Sequence, residues 1–437
     1  MHRPSSNYRS VRHNPWWIPP FLGGVPHGIE PAHLRVLGFV TLAMFFENYD
    51  LCMLGHSLPQ IAKAFALDDV ELGWFTTLTR LGALPAFLLL PLADRIGRRR
   101  LLLLAFACMS LGSFATALAQ TSLQFMLAQI VTRSFIIVAA VTSFVIVSEE
   151  FPAANRGWGI GILAGVGAIG FGVGTLLYGF VNWLPLGWRA LYAIGLVPLL
   201  LLPAWVRGLN ETARFAAMQV EHEQLSLAGL WQSIAELLRR HPRRALAIAL
   251  IGAFANAGIG PSFQFVSQFL QAERDWTPGL FAAFSIVFGA FAIVGNPIAG
   301  RLSDRFGRRL VTAVVLTFFP VVTALFYLGP ASLVALPWTL MVFLAMASSV
   351  CVRVLATEIF PTAYRGTGAG TLALLETVGV SAGLLAYTLL AAASGSQAVA
   401  ISLVAVACLG AAASVYLLPE TTQRELEEVS ADMPGKI

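Results

Sequence analysis

Charge is what this sequence has least of. Asp, Glu, Lys and Arg make up 12% of its 437 residues, half of the roughly 25% typical of soluble globular chains. With 57% hydrophobic residues, too little polar surface remains to coat a fold in water. Lysine is nearly missing, at 2 against 26 Arg. The net charge of +5 is small, and the basic residues sit between apolar runs instead of covering a polar face, so nucleic-acid binding is excluded. Only four cysteines occur, Cys52, Cys108, Cys351 and Cys408, each inside an apolar run. Neither a disulfide framework nor a metal-ligand spacing is implied, and no cofactor is expected. The first 30 residues are polar and Pro-rich without an apolar core, so no cleavable signal peptide is expected and insertion would use the first spanning helix. Pro15-Trp16-Trp17-Ile18-Pro19-Pro20 either rests at a membrane interface or belongs to a disordered tail. No Gly-rich loop follows a strand, so ATP hydrolysis has no support.

Long apolar runs are there instead. About 20 apolar residues cross a bilayer core, and twelve such spans are read, at roughly 35–58, 70–93, 101–119, 123–147, 157–180, 188–206, 244–269, 277–300, 310–329, 333–356, 366–391 and 395–418. The expected class is an all-α membrane protein in two six-helix bundles, 35–206 and 244–418. Tails 1–34 and 419–437 and a linker, 207–243, flank and join them. Placing both termini in the cytoplasm puts 22 of the 28 basic residues inside. Three remain for the outer loops (Lys63, Arg189 and Arg274), and Arg80, Arg133 and Arg353 fall within spans. That asymmetry sets the expected orientation.

The two halves repeat. Leu92-Ala93-Asp94-Arg95-Ile96-Gly97-Arg98-Arg99 returns as Leu302-Ser303-Asp304-Arg305-Phe306-Gly307-Arg308-Arg309, 210 residues on. Glu149-Glu150-Phe151-Pro152 with Arg156-Gly157 returns as Glu358-Ile359-Phe360-Pro361 with Arg365-Gly366, and Glu211-Thr212 as Glu420-Thr421, both 209 residues on. The motifs follow the second, fourth and sixth span of each half, which makes the repeat parallel.

These residues resemble the major facilitator superfamily over essentially the whole chain. The Asp-Arg-x-Gly-Arg-Arg loop is that family's best-known signature, and here it occurs twice. The Glu-x-Phe-Pro motifs, and Pro419-Glu420-Thr421-Thr422-Gln423-Arg424, resemble its sugar and metabolite branch. Asn210-Glu211-Thr212-Ala213-Arg214 stands where sugar porters carry Pro-Glu-Ser-Pro-Arg. Phe45-Phe46-Glu47-Asn48-Tyr49-Asp50 is similar to proton-coupled carriers of aromatic acids, with Asn48 replacing a Gly. The seventh span reads Asn256 to Gln264 without the paired glutamines of sugar porters, which argues against a hexose. The resemblance implies a secondary transporter with no catalytic residues, monomeric and in a bacterial-type inner membrane. Its partners would be the lipid bilayer and a small-molecule substrate bound centrally between rocking halves, with the proton gradient as driving force.

The doubled loop charges read as gates: Asp94, Arg95, Gly97, Arg98, Arg99, Glu149, Arg156 and Glu211, then Asp304, Arg305, Gly307, Arg308, Arg309, Glu358, Arg365 and Glu420. A carboxylate at a neighbouring helix N-terminus, bridged by Arg, would latch helices together. Charges within a span are functional hypotheses by default. At about 1.5 Å per residue, Glu47 and Asp50 lie about 18 and 22 Å beyond Arg35, and Arg80, Arg133 and Glu376 reach a similar depth from their own landmarks. Arg353 lies nearer the surface and either snorkels or joins a gate. The repeat does not duplicate these charges: Asp50 maps to Ile259 and Arg133 to Val342.

Glu47 and Asp50, three residues apart, share a helix face and are the proton-coupling candidates. Arg133 matches the family's fourth-span Arg. It either clamps a substrate carboxylate or balances Asp50. Arg80 is a second anion ligand or a partner of Glu47. Glu376 binds a cationic group or pairs with Arg353. Asn256 and Gln264 complete the substrate candidates, and Pro261 is expected to bend the seventh span. Proton-driven uptake of a small organic acid or related metabolite is the preferred reading. Efflux of a drug-like compound, facilitative sugar-type transport, and a non-transporting membrane sensor are its rivals.

Overall fold

In hydrocarbon, backbone N–H and C=O groups must be satisfied within the segment, and a helix does this locally. The computed structural model describes residues 15, 17–18, 24–90, 92–152, 155–212, 239–292, 295–359 and 365–421. The side chains of 94, 95, 291, 292, 295–297, 357 and 365–370 lie outside that description. So do most of the expected linker and much of both tails. All regular structure among the described residues is helical.

In chain order the helices are α1 (Pro31–His56), α2 (Leu58–Phe65), α3 (Asp69–Leu81), α4 (Ala86–Leu89), α5 (Leu92–Ile96), α6 (Arg98–Leu118), α7 (Ser122–Glu150), α8 (Arg156–Tyr178), α9 (Trp188–Ala193) and α10 (Val197–Gly208). The second half has α11 (Pro242–Gln264), α12 (Val266–Ala272), α13 (Pro278–Ala292), α14 (Gly295–Phe306), α15 (Arg308–Leu328), α16 (Ala335–Glu358), α17 (Arg365–Ser394), α18 (Gln397–Ala405) and α19 (Ala407–Val415). Eleven described segments are long and apolar enough to span a bilayer, and the shorter apolar helix Pro278–Ala290 stands at the expected eighth span.

Local chemistry starts these helices where the sequence supplies it. Asp68 accepts from Glu71 N while Glu71 reaches back to Asp68 N, a capping box for α3. Thr121 and Ser396 cap α7 and α18. Pro261 lies within α11, four residues before Phe265, which separates α11 from α12. Gly97 (φ +100°) and Gly307 (φ +107°) turn the chain into α6 and α15, a conformation that disfavours any Cβ. A Cβ at Gly307 would also stand 3.0 Å from Glu420 Oε2.

Two compact units emerge. The described residues of Met1–Leu54, Pro85–Leu177 and Trp183–Leu225 form one; those of Gly55–Leu84, Tyr178–Asn182 and Ser226–Ile437 form the other. In the first, Leu37, Val40, Phe106 and Trp205 are buried together, with Phe106 and Trp205 edge to face at 3.9 Å. In the second, Ile248, Ile251, Leu316 and Leu355 do the same. Close helix approach relies on glycine. A Cβ at Gly170 would strike the Phe45 backbone, and one at Gly379, 209 residues later, the Ala253 backbone. Small residues of this kind let membrane helices touch. Large apolar side chains such as Leu118 (60% exposed), Leu200 and Leu336 face outward, while Asp50, Arg133 and Gln129 are buried. That inversion suits a lipid solvent and not water.

Candidate functional site

The doubled motifs build doubled clusters. In the first unit, Arg98 Nε and Nη2 each lie 3.2 Å from Glu149 Oε1, and Thr212 donates to Glu149 Oε2 at 2.7 Å. Glu211 Oε1 accepts from Arg99 N at the start of α6. In the second unit, Arg308 Nη2 meets Glu358 Oε1 at 3.1 Å, Thr421 donates to Glu358 Oε2 at 2.6 Å, and Glu420 accepts from Arg308 N and Arg309 N at 2.9 and 3.2 Å. Glu211 and Glu420 thus sit at helix N-termini, where unsatisfied N–H groups and the dipole favour negative charge. The next arginine closes a helix end: Arg99 donates to the Leu209 and Val206 carbonyls, and Arg309 to the Tyr416 carbonyl at 3.3 Å.

The other gate candidates divide. Arg308 Nη1 pairs with Asp304 Oδ1 at 2.5 Å, and Arg305 lies over Phe306. Arg156 is exposed at the start of α8, and the recorded partners of Glu149 are Arg98 and Thr212. The side chains of Asp94, Arg95 and Arg365 lie outside the described residues. Arg353 reaches Glu376 at 3.7 Å and Ser349 at 3.3 Å, so the Arg353–Glu376 pairing is the alternative these contacts match.

Inside the first unit, four helices converge on Asp50. It is 3% exposed, and Ser113 of α6 donates to its Oδ1 at 2.7 Å. Arg133 of α7 is 2% exposed. Among the described residues, Asp50 Oδ2, Arg133 Nε and Nη2, and the Tyr192 hydroxyl have no hydrogen-bond partner. Glu47 is also buried and takes a 2.6 Å hydrogen bond from Asn48. The charges of Glu47, Asp50 and Arg133 act on one another directly. A buried polar network left half-satisfied is costly unless something uses it.

Inside the second unit, Arg80 Nη2 donates to Gln264 Oε1 at 2.9 Å. Gln264 is buried with its Nε2 unpartnered among the described residues, as is Gln268 Oε1. Asn256 donates to its own helix, at Gly252 O. Toward α12 the same unit holds a ring of hydrogen bonds. Tyr178 donates to Gln60 Oε1 at 2.9 Å, Gln60 Nε2 to Gln271 Oε1 at 3.0 Å, and Gln271 Nε2 back to the Tyr178 hydroxyl at 2.6 Å. Gln271 also donates to Ser267, which donates to the His56 carbonyl. The ring fastens α2 and the end of α8 to α12. Sequence reading missed it, and missed Ser113 and Tyr192. Thr212 and Thr421 stood in the repeat and could have been added on that ground alone.

Charged side chains buried in apolar, bilayer-length helices, with paired charges repeated 209–210 residues apart, define an integral membrane protein of the carrier type. The chain belongs to the Major Facilitator Superfamily, whose profile matches residues 40–384 and 249–433, and it is therefore a transporter and not an enzyme. It is 28% identical over 383 residues to the 3-(3-hydroxy-phenyl)propionate transporter of Escherichia coli strain K12, covering 86% of this chain and 91% of that one. It is 25% identical over 344 residues to the cis,cis-muconate transport protein of Acinetobacter baylyi, covering 76% and 81%. The inward open structure of the E. coli xylose transporter XylE superposes with a TM-score of 0.70 at 19% identity, covering 91% of this chain and 99% of that one. At that identity it supports the fold alone.

Proposed function

We propose that this protein couples proton entry to uptake of a small organic acid, exposing its site to each side of a bacterial inner membrane in turn, with both termini in the cytoplasm. One observation carries the reading: the Asp50 carboxylate is buried in a span with one oxygen unpartnered, beside a buried Arg133 that also has free donors. Such a pair has two states of use. Ionised, Asp50 balances Arg133; protonated, it leaves a buried cation that favours an anion nearby. Glu47 tunes the pair. The two relatives' names specify carboxylates, and Arg80 with the free Gln264 amide supplies donors of the kind a carboxylate takes. The doubled Arg–Glu–Thr clusters serve as gates.

Purified protein in proteoliposomes tests this. A pH gradient of one unit is worth about 1.4 kcal/mol per proton, or about tenfold in concentration. 3-(3-Hydroxyphenyl)propionate or cis,cis-muconate is expected to accumulate about tenfold per unit of gradient, with xylose and a quaternary amine excluded. Accumulation indifferent to the gradient would refute proton coupling.

In this reading the Gln60–Tyr178–Gln271 ring is a closure that opens once per transport cycle. Tyr178→Phe removes its shared hydroxyl and is expected to weaken the closed state by about 1–3 kcal/mol. A cysteine introduced at Ala62, which is buried in α2, then reacts with a membrane-impermeant maleimide about tenfold faster than in the Tyr178 background. Equal labelling rates would remove the ring from the gate.

A further inference from the structure

We infer that Ser113 reads the charge of Asp50 and passes it to the break between α9 and α10; this rests on the proton-coupling reading above. The sixth span is not a continuous α-helix. It runs as α9 to Ala193, as a tighter 3-10 turn over Ile194–Leu196, and then as α10. Mid-helix 3-10 segments often mark hinges, and side chains inserted into the hydrogen-bond ladder bend helices. Two side chains reach this place. Tyr49 donates to the Leu191 carbonyl at 2.8 Å, and Ser113 lies 3.2 Å from the Tyr192 carbonyl. Gly195 makes room, since a Cβ there would stand 2.6 Å from Ser113 Cβ.

The Ser113 hydroxyl has one hydrogen and two acceptors, Asp50 Oδ1 at 2.7 Å and the Tyr192 carbonyl at 3.2 Å. Donation to an ionised carboxylate is about twice as strong as donation to a neutral acceptor, so the hydrogen points at Asp50 while Asp50 is charged. A proton from water removes that preference, whichever oxygen it binds. On Oδ2 it leaves Oδ1 a neutral carbonyl. On Oδ1 it makes Asp50 the donor to Ser113 Oγ. In the second case the Ser113 hydrogen turns to the Tyr192 carbonyl; in the first it is shared between two neutral acceptors, so donation to the helix backbone rises in both, and only hydrogen bonds change hands. The other ionisable groups acting on Asp50 are Glu47, Tyr49 and Cys52 from its own helix, Arg133 from α7 and Tyr192 from α9. Ser113 alone among the described residues bonds both Asp50 and the helix backbone at the break.

The repeat isolates the function from the architecture. The twelfth span breaks too, at Val406 between α18 and α19, 209 residues after Val197. There the counterpart of Ser113, Thr323, has its hydroxyl unpartnered among the described residues, and the counterpart of Asp50 is Ile259. The break belongs to the fold; its link to a carboxylate belongs to the first half.

Hydrogen–deuterium exchange of the full-length protein in nanodiscs tests this, with rates corrected for intrinsic pH dependence. In the wild type, amides of Tyr192–Val197 are expected to change exchange rate about fivefold or more between acid and alkaline buffer. Asp50→Asn is expected to hold them at the acid value at both pH values. Ser113→Ala, with an unchanged melting temperature, is expected to remove the response. A Ser113→Ala protein that keeps the wild-type response overturns the inference, as does a wild type with none. Proton-driven accumulation in proteoliposomes judges the coupling reading separately.

Discussion

Asp50→Asn protein, reconstituted under a pH gradient of one unit, is expected to equilibrate its substrate without concentrating it, so that accumulation falls from about tenfold to none. Asn keeps the size of the side chain and still accepts from Ser113, so packing around α1 and α6 is preserved. What disappears is the exchangeable proton. Substrate counterflow, which needs no net proton movement, is therefore retained, and the pH dependence of uptake flattens. Retention of gradient-driven accumulation in Asp50→Asn would assign coupling elsewhere, with Glu47 the next candidate because it is the other buried carboxylate acting on Arg133. Glu47→Gln run in parallel separates the two.

Arg98→Ala is expected to destabilise the first unit by about 3–5 kcal/mol, because removing one partner of a buried ion pair strands the other. The Arg98 and Glu149 side chains are only 6% and 10% exposed. Truncation would leave Glu149 with Thr212 alone among its recorded partners. Arg308→Ala should cost less. Its cluster is more open, at 16% for Arg308 and 21% for Glu358, and Asp304 is 62% exposed, so water replaces part of what is lost. Thermal unfolding of the two variants in the same detergent checks the order. A larger loss for Arg308→Ala would mean that burial does not set the strength of these latches.

Much of this was legible before any coordinates. Bilayer-length runs gave the helices, because hydrocarbon admits little else. The repeated Asp-Arg-x-Gly-Arg-Arg, Glu and Glu-Thr motifs gave both charged clusters, because each charge there must find a partner near the sequence position of its twin. Asp50 and Arg133 stood out because an ionisable residue in an apolar run is rare. Ser113, Tyr192, Gln60, Tyr178 and Gln271 did not stand out. A neutral polar side chain on a spanning helix is common, and its importance depends on which distant segment it meets. Gln60 and Gln271, 211 residues apart, have no local signal for the ring they share with Tyr178. The pairing of Arg80 with Gln264 was likewise unreadable, since each was a candidate ligand on its own span. The break in the sixth span was legible and was missed: Gly195 lies within Ile194–Leu196, and Pro198 has no N–H to donate to the Ile194 carbonyl.

The hydrogen-bonded ring carries no net charge, whereas the Arg308–Glu358–Glu420 cluster near the opposite end of the same unit is built from ions and is partly open to water. Dissolved electrolyte weakens interactions of the second kind and leaves the first almost untouched. On the proposed cycle, added salt would shorten the lifetime of the ionic cluster and leave that of the ring unchanged.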